Sequence, residues 1–154
     1  MESGVAHRYS DYLETYVQVG LASGRVVSVS FTTEPDGETA TEGDVDSLDA
    51  VFDYLSGGPT PDVGYALTVA GVERRALEST RRIPRGETTS YAEYARSLGA
   101  EDEVDDVRGA LDSNPVPIVL PCHRVVPEGY EAGGDVGTYA GPTEVKRRLL
   151  ALER

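Results

Sequence analysis

The sequence predicts a small α/β subdomain followed by a mostly α-helical domain that contains a helix-turn-helix. Three observations support this fold class. Apolar and polar residues alternate over residues 16–31, apolar residues recur at helical spacing over much of residues 72–152, and a Ser-Gly-Gly-Pro-Thr-Pro run at residues 56–61 separates the two patterns. Because this run is the strongest breaker in the chain, we predict domains over residues 1–60 and 61–154.

The N-terminal part predicts a hairpin, a polar connection and one helix. Residues 16–22 and 25–31 alternate on either side of Ser23-Gly24, as two antiparallel strands do. The alternation assigns three residues of the second strand to one face: Val27, Val29 and Phe31. Residues 34–46 are acidic and polar, which predicts a loop. Residues 47–55 place four apolar side chains at helical spacing: Leu48, Val51, Phe52 and Leu55.

Three helices are predicted next. Apolar residues over residues 72–83 share one helical face, and Pro84 follows them. Ser90-Tyr91-Ala92-Glu93 is a capping-box pattern that opens a second helix, which Gly99 ends. Residues 103–113 predict a third helix. Two short helices joined through a glycine suit a helix-turn-helix whose last helix reads DNA, although ordinary helical packing produces the same spacing.

The end of the chain predicts a buried segment, a loop and a final helix. An apolar, proline-flanked stretch at residues 116–121 leads into Cys122. Residues 127–142 are rich in glycine and polar groups, as loops are. Residues 145–152 predict the last helix.

Composition favours an acidic protein of the reducing cytosol. The single cysteine excludes an internal disulfide, so we expect a cytoplasmic protein. No apolar run is long enough for a membrane span, and the N-terminus lacks the basic and apolar regions of a secretory signal. The net charge is −13 and Lys146 is the only lysine, which favours adaptation to concentrated salt over an ordinary acidic surface. Residues 1–62 hold 12 acidic and 2 basic side chains, whereas residues 63–154 hold 15 acidic and 12 basic side chains. Because most basic residues lie in the second part, we expect any nucleic-acid-binding face there.

Cys122, followed by His123 and Arg124, is the motif that suggests nucleophilic chemistry. The thiolate is the nucleophile, and a cysteine needs a base or a positive neighbour to form one near neutral pH. Neighbouring residues of a strand point apart, so Cys122 and His123 need a turn or a bridging water to cooperate. From these three residues alone, a core cysteine beside a solvated His-Arg pair stays open, and so does a Cys-His hydrolase.

A longer stretch resembles the active-site signature of a known family. The segment Asn114-Pro115-Val116-Pro117-Ile118-Val119-Leu120-Pro121-Cys122-His123-Arg124-Val125-Val126 resembles that of the methylated-DNA–protein-cysteine methyltransferases, or alkylguanine-DNA alkyltransferases. Residues 83–91 and 145–153 resemble the family's flanking segments, and the resemblance extends over about residues 10–154. It implies a small RNase H-like sheet, a winged helix-turn-helix-like second domain, and DNA repair by single-turnover transfer of an alkyl group from the exocyclic oxygen of guanine to the cysteine.

The resemblance also implies roles for individual residues. Cys122 is the nucleophile and permanent alkyl acceptor, His123 acts as a base through a water, and Glu153 orients His123. Asn114 braces the turn that carries the cysteine. Tyr91 helps to rotate the target nucleotide out of the duplex and donates a proton toward the departing guanine.

Further residues match positions that bind the substrate. The positions that line the pocket are Pro117, Val125 and Tyr139, with Lys146 near its floor. The residues expected to contact DNA are Ser90, Tyr91, Arg108 and Arg124. The expected partner is double-stranded DNA containing alkylated guanine, bound by a monomer without a cofactor. The zinc site of some relatives cannot be built, because only His7 and His123 accompany the single cysteine.

The chain departs from the family where the family inserts an arginine into the duplex. Counting back from Asn114, that position is Asp105, and a carboxylate pushed into a base stack near phosphates is unfavourable. Arg108 lies one helical turn later, so we hypothesise that it takes the inserted role. Pro142 stands where a second glycine is usual, and the loop after Cys122 is longer than expected, which bears on the range of alkyl groups accepted.

One alternative of another class is a non-catalytic relative that binds alkylated DNA and flags it for a different repair pathway. Such relatives usually replace the cysteine, whereas this chain retains Cys122. The lysine-poor acidic composition further suggests that the chain comes from a halophilic archaeon.

Overall fold

The computed structural model describes residues 4–34 and 46–154. These residues form two compact units. The first comprises the described residues up to Leu67 together with Pro115–Val119, and the second comprises Thr68–Asn114 and Leu120–Arg154. Most of the predicted acidic loop, residues 35–45, lies outside the described part of the chain. The predicted domain division after residue 60 remains a proposal.

The first unit contains an antiparallel sheet of three strands in the order β1-β2-β3. Its strands are β1 (Gly4–Ser10), β2 (Thr15–Ala22) and β3 (Arg25–Thr32). The predicted hairpin is confirmed. Ser23 and Gly24 both have positive φ, at 52° and 77°, as a tight turn that matches the twist of the strands requires. Strand β1 was not predicted, because its apolar residues are few and do not alternate clearly.

A β-bulge makes the predicted face of β3 wrong at Val27. The register between β2 and β3 shifts after Gly20, so Val27 is an extra residue in β3. Val26 and Val29 are therefore buried on the same side, whereas Val27 is 36% exposed. Phe31 is half-buried. A bulge reverses the alternation beyond it, and the residue types alone do not reveal where it lies.

Helix α1 (Asp46–Leu55) buries the predicted Leu48, Val51 and Leu55, together with Tyr54. Phe52 is half-buried, and the guanidinium of Arg8 from β1 lies 5.0 Å from the centre of its ring. Arg8 also donates a hydrogen bond of 2.7 Å to Asp49, so polar contacts tie α1 to the sheet.

The segment Pro115–Val119 returns to the first unit and reaches β3. The backbone amide of Val29 donates to the carbonyl oxygen of Pro115 at 2.8 Å. Ile118 has a φ of 75°, a conformation that a β-branched residue adopts only under strain of about 1–3 kcal/mol. Cys122 follows four residues after Ile118, in the second unit, which resumes at Leu120.

The second unit is mostly helical. Its helices are α2 (Gly71–Glu78), α3 (Tyr91–Ser97), α4 (Val104–Asp112) and α5 (Thr143–Leu152). The predicted first helix is shorter than expected, because a 3₁₀ turn over Ser79–Arg82 follows α2. Ile83 is extended, with ψ of 115°, since the proline after it disfavours a helical conformation.

Local signals set the ends of α3. Ser90 caps its start, and the Ser90 hydroxyl accepts a hydrogen bond of 3.2 Å from the backbone amide of Glu93, as the capping-box pattern predicts. Gly99, with φ of 70°, turns the chain after the helix toward α4. Strand β4 (Thr89–Ser90) pairs in parallel with β5 (Val125–Val126), which places the start of α3 beside the residues that follow the cysteine.

These two units agree with the predicted fold class in outline, as a small sheet with a helix and a mostly helical second part. The RNase H-like and winged details remain predictions. None of the helices in the described ranges combines the length and apolar character that crossing a bilayer requires.

Candidate active site

Cys122 begins a short 3₁₀ turn, Cys122–Arg124, in the second unit. Its side chain is buried, with the residue 3% exposed. The backbone amide of Cys122 donates to the carbonyl oxygen of Leu120 at 2.8 Å, and the side-chain amide of Asn114 donates to the same oxygen at 2.9 Å. Asn114 therefore fixes the backbone just before the cysteine, which is the geometry expected of the predicted brace.

Burial keeps the thiol of Cys122 protonated. It raises the pKa of Cys122 to about 11, because a thiolate loses its hydration in the interior. The hydrogen bond from Asn114 and the positive charge of Lys146 act in the opposite direction but do not outweigh burial. At neutral pH the group is a thiol, so nucleophilic attack requires a base.

His123 is fully buried and can supply that base. Its Nε2 lies 2.8 Å from a carboxylate oxygen of Glu153. Burial lowers the pKa of His123 more than the Glu153 hydrogen bond raises it, so the imidazole is neutral near pH 7. A neutral ring that donates from Nε2 to a carboxylate carries its lone pair on Nδ1, the atom able to accept a proton.

Glu153 holds a second buried partner, Arg124. The guanidinium donates from Nε to both carboxylate oxygens, at 3.0 and 3.3 Å, and from Nη2 to one of them at 2.9 Å. Nη1 donates to the carbonyl oxygen of Ile83 at 2.8 Å, and Arg124 is only 2% exposed. The prediction that Arg124 contacts DNA is therefore not supported, because its donors are directed into the protein.

A sequence signal for this pairing exists. Glu153 follows the C-terminus of α5, where the helix dipole disfavours a negative charge. A carboxylate buried at that place needs a buried cation, and Arg124 beside the apolar pair Val125-Val126 is the candidate that the pattern offers.

Tyr91 and Lys146 form a second buried group in the same unit. Lys146 Nζ donates to the Tyr91 hydroxyl at 3.1 Å and to the carbonyl oxygen of Thr138 at 2.9 Å. The Tyr91 hydroxyl donates a longer bond of 3.5 Å to the same carbonyl oxygen. Burial lowers the pKa of Lys146 to about 8 and raises the pKa of Tyr91, because both charged forms lose hydration.

Arg108 lies against Tyr91. The guanidinium carbon is 4.5 Å from the centre of the Tyr91 ring, and Nη2 donates to the Thr138 hydroxyl at 3.4 Å. Asp105, in the first turn of α4, is exposed. Insertion of Arg108 into a duplex would require its side chain to leave Tyr91, so the hypothesis of an inserted role remains a prediction.

The other predicted residues lie in four places. Val125 is buried in β5, and Tyr139 is half-buried in the loop before α5. Pro117 is buried in the returning segment of the first unit. Ser90 is the N-cap of α3. The sequence reasoning missed Thr138 and Asp112, two polar residues of ordinary loop and helix-end type that only their contacts single out.

The family model described as "6-O-methylguanine DNA methyltransferase, DNA binding domain" matches residues 71–154, which include every residue of this site. The chain belongs to this family. A methylated-DNA–protein-cysteine methyltransferase of Mycolicibacterium paratuberculosis is 36% identical over 139 residues, with 87% of this chain and 80% of that protein covered. One of Methanothermobacter thermautotrophicus is 41% identical over 81 residues, which cover 53% of this chain and 43% of that longer relative.

Solved structures of family members are similar over nearly the whole chain. The structure titled as Mycobacterium tuberculosis OGT in complex with DNA has a TM-score of 0.79 and 28% identity, with 97% of this chain and 92% of that chain covered. The cysteine, histidine and glutamate of the present site thus belong to a chain whose relatives bear the methyltransferase name.

Proposed function

We propose that this chain repairs DNA by direct reversal, transferring an alkyl group from the exocyclic oxygen of alkylated guanine to Cys122 Sγ. The observation that carries the proposal is the buried thiol at the start of a braced turn, next to a neutral imidazole that a carboxylate orients. The transfer forms an S–C bond and breaks the C–O bond. The alkylated cysteine is a thioether, which no residue of the site can hydrolyse, so each molecule reacts once.

The cysteine side of the reaction uses His123 as a base. The imidazole accepts the thiol proton through a water as sulfur attacks the alkyl carbon. Glu153 then stabilises the positive charge that develops on His123, and the hydrogen bonds of Arg124 hold that carboxylate in place.

The guanine side of the reaction uses Tyr91. As the C–O bond breaks, negative charge moves onto the guanine, and the Tyr91 hydroxyl donates a proton to it. Lys146, which donates to that hydroxyl, stabilises the phenolate left behind. His123 then releases its proton to water and the Tyr91 phenolate takes one up, so that in the net reaction the thiol proton replaces the alkyl group on guanine. This proton balance needs no cofactor.

DNA binding is assigned to the helix-turn-helix formed by α3 and α4. The target base must leave the stack, at a cost of a few kcal/mol, before its oxygen can reach a buried thiol. Ser90 and Arg108 remain the proposed DNA contacts, and Pro117, Val125 and Tyr139 the proposed pocket lining. We infer from composition that the chain acts in the cytoplasm of a halophilic archaeon, and we propose that it acts as a monomer.

One experiment tests this function. The purified protein is incubated with duplex DNA containing a single O6-methylguanine, and its intact mass and peptide masses are recorded. We expect one added methyl group on Cys122 and none in Cys122→Ser. DNA binding with no change in mass would favour the non-catalytic alternative, and release of methanol with an unmodified protein would favour hydrolysis.

A further inference from the structure

Thr138 joins the buried Tyr91–Lys146 pair to helix α4. Its carbonyl oxygen accepts from Lys146 Nζ at 2.9 Å and from the Tyr91 hydroxyl at 3.5 Å. Its own hydroxyl lies 2.8 Å from both carboxylate oxygens of Asp112, to which it donates. One residue thus contacts the proposed proton donor on one side and α4 on the other.

Arg108 completes the link from the same helix. It donates to the Thr138 hydroxyl at 3.4 Å while its guanidinium lies over the Tyr91 ring. Arg108 and Asp112 are four residues apart and therefore project from one face of α4. A hydroxyl can both accept and donate a hydrogen bond, and the Thr138 hydroxyl does both here: it accepts from the arginine and donates to the carboxylate.

The backbone next to Thr138 packs closely against Tyr91. Gly137 has φ of 78°, and a Cβ built on it would lie 3.1 Å from the Tyr91 hydroxyl and 3.0 Å from the ring of Pro127. A displacement of this loop would therefore move the carbonyl oxygen that both Tyr91 and Lys146 use.

We propose that Thr138 is a positioning residue that couples the Tyr91–Lys146 pair to α4 through Arg108 and Asp112. This role rests on the proposed function, because it concerns protonation of the departing guanine. Thr138 itself is exposed, so its hydroxyl contributes little to folding, whereas a shift of about 1 Å in a reacting group can cost about 100-fold in rate. Docking of α4 on DNA and orientation of Tyr91 are then linked events.

The test compares Thr138→Val, which removes only the hydroxyl, with Thr138→Ser, which keeps it. The rate of methyl transfer is measured in single turnover with saturating O6-methylguanine duplex, and the affinity for the same duplex is measured separately. We expect Thr138→Val to lower the rate about tenfold with little change in affinity, and Thr138→Ser to stay near the wild-type rate. Thr68→Val, an exposed threonine of the same unit, is the matched control.

The pH dependence distinguishes positioning from a merely structural role. The charged form of Lys146 is the donor to Tyr91, so the rate should decline as pH rises through the Lys146 pKa of about 8. Loss of the hydroxyl breaks the bond to Asp112 and releases the loop that carries the Thr138 carbonyl oxygen. Displacement of that loop exposes Lys146 to water, and because burial is the main cause of its low pKa, the pKa rises toward the usual value and the decline moves to higher pH. An unchanged decline in Thr138→Val would overturn the proposal even if the rate were lower.

A second variant keeps the proposal testable if Thr138→Val does not fold. Asp112→Leu removes both oxygens that accept from the hydroxyl and should lower the rate to a similar extent. The two substitutions should not be additive, because they break the same link. Additive losses, or a Thr138→Val protein as fast as wild type, would refute the positioning role alone. A wild-type protein that never gains a methyl group would instead refute the proposed function, and this role with it.

Discussion

Replacing Glu153 by glutamine removes one negative charge from the buried group around the cysteine while keeping the side-chain shape. The carboxylate of Glu153 accepts three bonds from Arg124 and one contact from His123. Arg124 is 2% and His123 0% exposed, so water cannot replace the lost charge. In addition, the side-chain NH₂ of glutamine is a hydrogen-bond donor, and it would face the N–H groups of Arg124 or His123, which are donors too.

The expected loss follows from this burial. Removing one partner of a buried ion pair leaves the other charge uncompensated and costs about 3–5 kcal/mol. For a protein of this size, each kcal/mol lowers the melting temperature by about 2–4 °C, which predicts a decrease of about 6–20 °C. Glu144→Gln is the matched control. Glu144 lies in the first turn of α5, the helix that Glu153 follows, and pairs with Arg147 and Arg148. It is exposed and its pairs are screened, so we expect no measurable change.

The assay is thermal unfolding of wild type, Glu153→Gln and Glu144→Gln at one fixed salt concentration. A third variant, Arg124→Leu with Glu153→Leu, should recover part of the stability, because no buried charge is then left without a partner. Equal melting temperatures for the two glutamine variants would show that the Glu153–Arg124 contact contributes nothing that a surface pair does not, and would refute the reasoning.

Three other predictions concern pH, DNA affinity and thiol reactivity. Burial lowers the pKa of His123 in the folded state, so the unfolded chain takes up a proton first as pH falls below the usual pKa of about 6.5, and the folded state loses stability there. The denaturant midpoint should therefore change more between pH 7.5 and pH 5.5 for wild type than for His123→Gln. Asp105→Arg should tighten duplex binding and steepen the plot of log binding constant against log salt concentration by about one unit of slope. Binding titrations over a salt series measure this slope, and an unchanged slope would mean that this end of α4 does not approach phosphate. Native Cys122, with a pKa of about 11 and a buried side chain, should react with iodoacetamide at pH 7 far more slowly than the unfolded chain does; equal rates would contradict the burial.

The sequence allowed prediction of those elements whose signals are local. The Ser23-Gly24 turn, the cap at Ser90 and the end of α3 before Gly99 depend on residues next to each other in the chain, and all three are present. The face of β3 was wrong because the bulge at Val27 depends on pairing with another strand. Local pattern reasoning has no access to such pairing.

In the candidate site, too, the residues were predictable from the sequence, whereas their long-range contacts were not. The resemblance supplied the residues that carry the chemistry, whose spacing in the chain is recognisable. It did not supply the contacts that join residues far apart in the chain. The resemblance led us to expect that Arg124 contacts DNA, yet Glu153 holds its guanidinium inside the protein. Thr138 and Asp112 are 26 residues apart, and neither has a pattern that would connect them.

A protonated, buried thiol suits a nucleophile that is used once. The chain has one cysteine, and a stray electrophile that alkylated it, or oxidation beyond the reversible sulfenic acid, would consume the protein as completely as a repair event. A thiol with a low pKa would react fast with DNA but also with such reagents. Burial raises the pKa of Cys122 to about 11 and leaves neutral His123 as the base, so the thiol becomes reactive only when an alkyl group lies against it. The high pKa of Cys122 therefore favours reaction with a flipped base held in the site over reaction with small solutes. Thr138 connects the Tyr91–Lys146 pair to α4, so under the proposed coupling the preference for the flipped base also depends on bound DNA.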